Sequence, residues 1–66
     1  MNSTATDTDA REIEKWATWA ATATPAGTIP GSMDALDKAT DLAIAALDRR
    51  GVVFTVAELQ DAINAA

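Results

Sequence analysis

The stretch from Arg49 to Leu59, RRGVVFTVAEL, holds the end of one helix and the start of another. Arg49 and Arg50 place positive charge where a helix ends negative, and Gly51 supplies the left-handed residue that closes many helices. Thr55 and Glu58 have the spacing of a capping box. Thr55 accepts a hydrogen bond from the Glu58 backbone N–H, and the Glu58 side chain reaches back to the Thr55 N–H. Phe54 before the cap and Leu59 after it match the hydrophobic staple that accompanies such a start. Only Val52 to Phe54 lie between the two helices, so they are joined by a short turn.

Upstream of this junction, a helix capped by Ser32 is expected to run through Arg50. Asp34 sits favourably in its first turn and pairs with Lys38 one turn on. At roughly 100° per residue, Met33, Leu36, Thr40, Ala43, Ile44 and Leu47 form the stripe expected to be buried. Asp34, Asp37, Asp41 and Asp48 form an acidic face beside it. Before this helix, Pro25-Ala26-Gly27-Thr28-Ile29-Pro30-Gly31 excludes a regular element and reads as a stiff corner, with Ile29 expected to tuck into the core. The first helix then covers about Asp7 to Thr24 and ends because Pro25 pushes the preceding residue out of helical geometry. Asp7 or Asp9 is expected to cap it, and Asp9 with Glu12 has capping-box spacing. Ile13, Trp16, Ala17, Ala20 and Thr24 share one face of it, with Arg11, Glu14 and Lys15 opposite. Downstream of the junction, Val56, Leu59 and Ile63 are expected to face inward. The expected fold is therefore an all-α, small three-helix domain spanning 7–66, preceded by a flexible N-terminal lead at 1–6.

A chain of 66 residues is one domain at most. A domain of that size buries only about 60% of the surface its unfolded chain exposes. Cysteine and histidine are both absent, which removes disulfides and the usual zinc ligands. Completion of the fold by self-association or by a larger partner is the expectation that follows.

The formal charge is −5, with five basic residues against ten acidic ones. That balance argues against nucleic acid and against an anionic membrane surface, both of which call for lysine and arginine. It suits a basic protein surface, or simply keeps a small protein in solution. No apolar run approaches a transmembrane span, and Met1 to Thr6 lacks the basic start and apolar stretch of a signal peptide, so a cytoplasmic location is expected.

No histidine, cysteine or tyrosine is present for acid–base or nucleophilic work, and no serine, threonine or lysine has a base at useful helical spacing. The expectation is that the chain is not an enzyme, has no cofactor and takes no small-molecule substrate. Asp34, Asp37 and Asp41 could offer oxygen ligands to a hard cation, but a helix face cannot wrap an ion as a calcium loop does, so no metal is expected.

Two features stand out instead. Trp16 falls within the apolar arc of the first helix, whereas Trp19 falls at its edge. There Trp19 either lies flat on a neighbouring helix or anchors an interface. Leu42 projects away from the Leu36–Leu47 stripe, with Ala35, Ala39 and Ala46 near it. It is either a lone exposed leucine or the centre of a second apolar face. Trp19, Ala35, Ala39, Leu42 and Ala46 are the candidate partner interface.

Two family resemblances add to this. Leu47 to Ile63, LDRRGVVFTVAELQDAI, resembles the lead helix and first motif helix of a winged-helix or helix-turn-helix domain. That implies a truncated regulator of this type, in which the major-groove recognition helix would come next. Gly31-Ser32-Met33 opens the second helix in a way similar to acyl and peptidyl carrier proteins. In those small acidic helical domains a serine at this point carries a prosthetic group, which would here be Ser32. The family's aspartate before that serine is Gly31 here. The leading expectation remains a non-catalytic protein–protein interaction module, a small acidic accessory, regulatory or inhibitory protein. Its alanine- and aspartate-rich composition suits a high-GC bacterium or its phage.

Overall fold

The computed structural model describes residues 7–66. Three helices run in chain order, α1 (Asp7–Thr22), α2 (Met33–Arg49) and α3 (Val56–Ala65), with no strand among the described residues. The all-α three-helix architecture read from the sequence is the one observed. Residues 1–6, expected as a flexible lead, lie outside the described residues, and Asp7, expected as a possible cap, lies within α1. No helix among the described residues is long and apolar enough to cross a membrane.

The junction from which the fold was read is built as its residues dictate. α2 closes in a Schellman motif: Val52 N–H donates to the Leu47 carbonyl at 3.0 Å and Gly51 N–H to that of Asp48 at 3.1 Å. Gly51 takes φ +74°, a conformation that costs a residue with a Cβ about 1 kcal/mol or more. Both halves of the capping box are present, Glu58 N–H to Thr55 Oγ1 at 3.1 Å and Thr55 N–H to Glu58 Oε1 at 2.8 Å. We expect Thr55→Ala to lower stability by about 1 kcal/mol, read as a lower urea midpoint with an unchanged slope.

Asp9 and Glu12 do not form a capping box. Asp9 is the third residue of α1, one turn past any cap, and both carboxylates reach the α2–α3 connection instead. Asp9 Oδ2 accepts from Val53 N–H at 3.3 Å, and Glu12 Oε1 accepts from Arg50 Nε at 2.7 Å. These contacts fasten the first half of α1 to the junction. Arg50 is about half exposed, so its ion pair contributes a fraction of a kcal/mol.

α1 is the central element, packing against both α2 and α3, which touch each other little. α1 and α2 run antiparallel, with Glu12 opposite Arg50 at one end and Ala20 beside Ala35 and Leu36 at the other. The core cluster gathers Ile13, Ala17 and Ala20 of α1, Ala39, Ala43 and Leu47 of α2, and Leu59 and Ile63 of α3. Trp16, Ile44, Val52 and Phe54 pack around it, partly buried. Alanine dominates where α1 meets α2. Leu47 and Leu59 are the largest side chains fully enclosed.

Several residues expected inside lie outside. The buried arc of α2 runs through Ala35, Ala39, Ala43 and Leu47, and is rotated by about 70° from the expected stripe. Small side chains let the α1 backbone approach closely, so the alanines are covered instead of the larger residues. Met33 is consequently 79% exposed and Leu36 38%. Ile29 does not tuck in and is 73% exposed. The corner is pinned by its own hydrogen bonds instead. Thr28 N–H and Oγ1 donate to the Pro25 carbonyl at 3.1 and 2.6 Å, and Ser32 N–H and Oγ donate to that of Ile29 at 3.1 and 2.6 Å. Pro30 and Gly31 take the central positions of the second turn, Gly31 at φ +76°, as a type II turn requires. α1 ends at Thr22, so Thr24 belongs to the corner and is exposed. Val56, first residue of α3, lies at the margin of the Leu59–Ile63 face and is also exposed.

Candidate functional site

The candidate interface divides. Ala35 and Ala39 are buried under α1, which corrects their assignment to a partner surface: they are the floor of the α1–α2 contact. Trp19 and Leu42 are accessible, at 39% and 49% exposure. The Trp19 ring meets that of Trp16 edge-to-face, with centroids 5.5 Å apart and planes at 77°. Trp16 in turn borders a shallow recess with Ala46, Arg49 and Arg50, and Leu42 is one turn from Ala46. Trp19, Trp16, Ala46 and Leu42 thus form one strip across the α1–α2 pair. Trp16 is partly buried, as the sequence suggested, but its Nε1–H is enclosed without an acceptor among the described residues.

Asp34, Asp37, Asp41 and Asp48 are all exposed along one side of α2. No group of three or more acidic side chains converges as metal ligands do among the described residues. The Ser32 hydroxyl donates to the Ile29 carbonyl and accepts from Ala35 N–H at 3.1 Å as the N-cap of α2.

A second apolar surface lies at the corner end of the molecule. α2 has 17 residues and α3 has 10, so α2 is about 10 Å the longer at 1.5 Å per residue. The last turn of α3 borders α1 between Ala10 and Thr18. Beyond Thr18, α1 and α2 face each other without a third helix. A groove of about 250 Å³ opens there, lined by Ala20, Ala23, Gly31, Ala35, Met33 and Leu36 among others. Its floor is small side chains, and Met33 and Leu36 are its shoulders. Periodicity alone assigned these two residues to the core and so missed them as surface. The signal that finds them is the run of small residues Ala35, Ala39 and Ala43, which favours a close helix contact there and turns Met33 and Leu36 outward.

Compared with protein-family models, curated proteins and solved structures, the chain finds no match.

Proposed function

We propose that this chain is a non-catalytic protein-binding module, a small acidic accessory or regulatory protein that docks on a partner through the corner end of its α1–α2 pair. The observation that carries this reading is the exposure of Met33 and Leu36 beside a groove over which no third helix lies among the described residues. Burial of apolar area stabilises association by roughly 25 cal/mol per Å², and a domain of marginal stability gains from anything that binds its folded form. A second reading, self-association, is favoured at the Trp19–Leu42 strip, where the accessible Trp19 and Leu42 lie beside the partly buried Trp16.

Photo-crosslinking tests both. A benzophenone amino acid replaces Met33, Leu42 or the exposed Gln60 of α3, and the chain is produced in the cells it comes from. The binding reading expects a discrete heavier adduct from the Met33 position and none from Gln60. An adduct at twice the chain's own mass from Leu42 supports self-association. No adduct from Met33, or the same smear from every position, counts against the binding reading.

A further inference from the structure

We infer that the Trp19–Leu42 strip takes a second copy of this chain on a two-fold axis, with α2 antiparallel to its counterpart and Asp34 of each copy paired with Arg49 of the other. The inference rests on the self-association reading above and gives it a register. The strip supplies the apolar centre, with Leu42 49% exposed and Trp19 39%. α1 and α2 run antiparallel, so Trp19 lies between the level where Trp16 meets Ala46 and the level where Ala20 meets Ala35. That places it within about a turn of Leu42. An axis along the strip brings the two leucines together, with the two tryptophan pairs beside them. A two-fold contact needs a self-complementary patch, in which one residue meets a second and the second meets the first.

Charge supplies that complementarity. Asp34 stands eight residues before Leu42 and Arg49 seven after it, about 12 and 10 Å along the helix axis. Both lie on the side of Leu42 away from the buried Ala35 and Ala39, about 80° and 20° round the helix. Antiparallel helices on a two-fold meet like flank with like flank. Asp34 therefore falls level with Arg49 of the second copy, and the pair occurs twice. Lys38 falls level with Ala45 of the second copy, so like charges do not oppose each other on this flank. Asp37, Asp41 and Asp48 lie about 100° or more from Leu42 and stay outside the contact. A parallel pairing would instead set Arg49 level with Arg49 and Asp34 level with Asp34.

Both members are open to the pairing. The carbonyls at the end of α2 that a last-turn cation could bind are already taken, Ala46 by Arg50 N–H, Leu47 by Val52 N–H and Asp48 by Gly51 N–H. Glu12 is engaged by Arg50, and the exposed Arg49 makes no ion pair among the described residues. Asp34 lines a recess with Asp37, Asp41 and Lys38, where three carboxylates share one ammonium. An arriving guanidinium relieves that excess of negative charge.

The chain has no cysteine, so one introduced at a time reports on its own counterpart. Leu42→Cys is expected to oxidise to a disulfide-linked dimer, whereas Ala57→Cys on α3 stays monomeric under the same conditions. Sedimentation of the full chain is expected to show a monomer–dimer equilibrium that Leu42→Ser weakens by about tenfold. Asp34→Arg and Arg49→Asp are each expected to weaken it by about tenfold at low salt, and by less as salt rises. The two changes in one chain exchange the charges and keep the pairing, and should return the dimer to within about threefold of the parent. An equimolar mixture of the two single variants should also dimerise. Circular dichroism checks that each variant keeps its helices.

A monomer at every concentration overturns the inference and self-association together, and leaves docking at the corner end to the Met33 crosslink. A dimer that Leu42→Ser weakens but the charge exchange does not, or that the double variant fails to restore, overturns this register while self-association stands. A Leu42 adduct of another mass in cells, with no dimer of the pure chain, assigns the strip to a different protein and overturns it too.

Discussion

Leu59→Ala is expected to leave the chain with little or no cooperative unfolding transition at room temperature. Leu59 has no exposed surface, and with Leu47 it is one of the largest side chains so enclosed. Emptying a leucine site of this kind costs about 2–5 kcal/mol, through lost burial and the cavity left behind. At about 0.05–0.15 kcal/mol per residue, a domain of this length has roughly 3–10 kcal/mol in total. The loss is thus comparable with the whole. Most of the remaining core is alanine, which cannot rearrange to fill the space. Urea unfolding followed by circular dichroism checks this. A shallow, sloping curve or a midpoint near zero denaturant is expected, and a loss below about 1 kcal/mol would place Leu59 outside the core.

Ala39→Leu is expected to be nearly as damaging for the opposite reason. Ala39 is fully enclosed where α1 crosses α2. Three extra carbons there must push the helices apart or force neighbouring side chains off their rotamers, at about 1–3 kcal/mol or more. Ala45→Leu, on the exposed side of the same helix, adds the same atoms and should stay within about 0.5 kcal/mol of the parent. The contrast reports which way α2 faces. Were Ala39 on a free surface, as periodicity suggested, the two substitutions would behave alike.

Local chemistry was legible in the sequence because it is written in adjacent residues. Ser32 caps α2, Gly51 closes it, and Thr55 with Glu58 opens α3, each through groups within a few positions of one another. Ile13, Ala17, Ala20, Leu59 and Ile63 could be placed inside because their helices carry one apolar stripe. α2 was harder. It is apolar over a wide arc, and which part is buried depends on how closely α1 can approach. Hydrophobic periodicity favours the larger Met33 and Leu36, but a close helix contact favours Ala35 and Ala39.

The same ambiguity displaced the candidate site. Leu42, off its stripe, and Trp19, at the edge of its arc, are the residues whose place the sequence leaves open, and both are accessible. Met33 and Leu36 lie on the expected stripe and become surface because α2 turns its alanines toward α1. Ile29, expected to tuck into the core and pin the corner, is also surface. Here Thr28 and Ser32 hold the corner by hydrogen bonds and leave Ile29 outside.

The orientation of α2 is what everything about the groove depends on, and methyl NMR with a soluble paramagnetic agent reads it directly. With α2 turned as described, the Met33 methyl relaxes fast, the Leu36 methyls relax at an intermediate rate, and the Ala39 and Ala43 methyls are untouched and show contacts to Ala17 or Ala20. Fast relaxation at Ala39 together with shielded Met33 and Leu36 methyls would contradict the account.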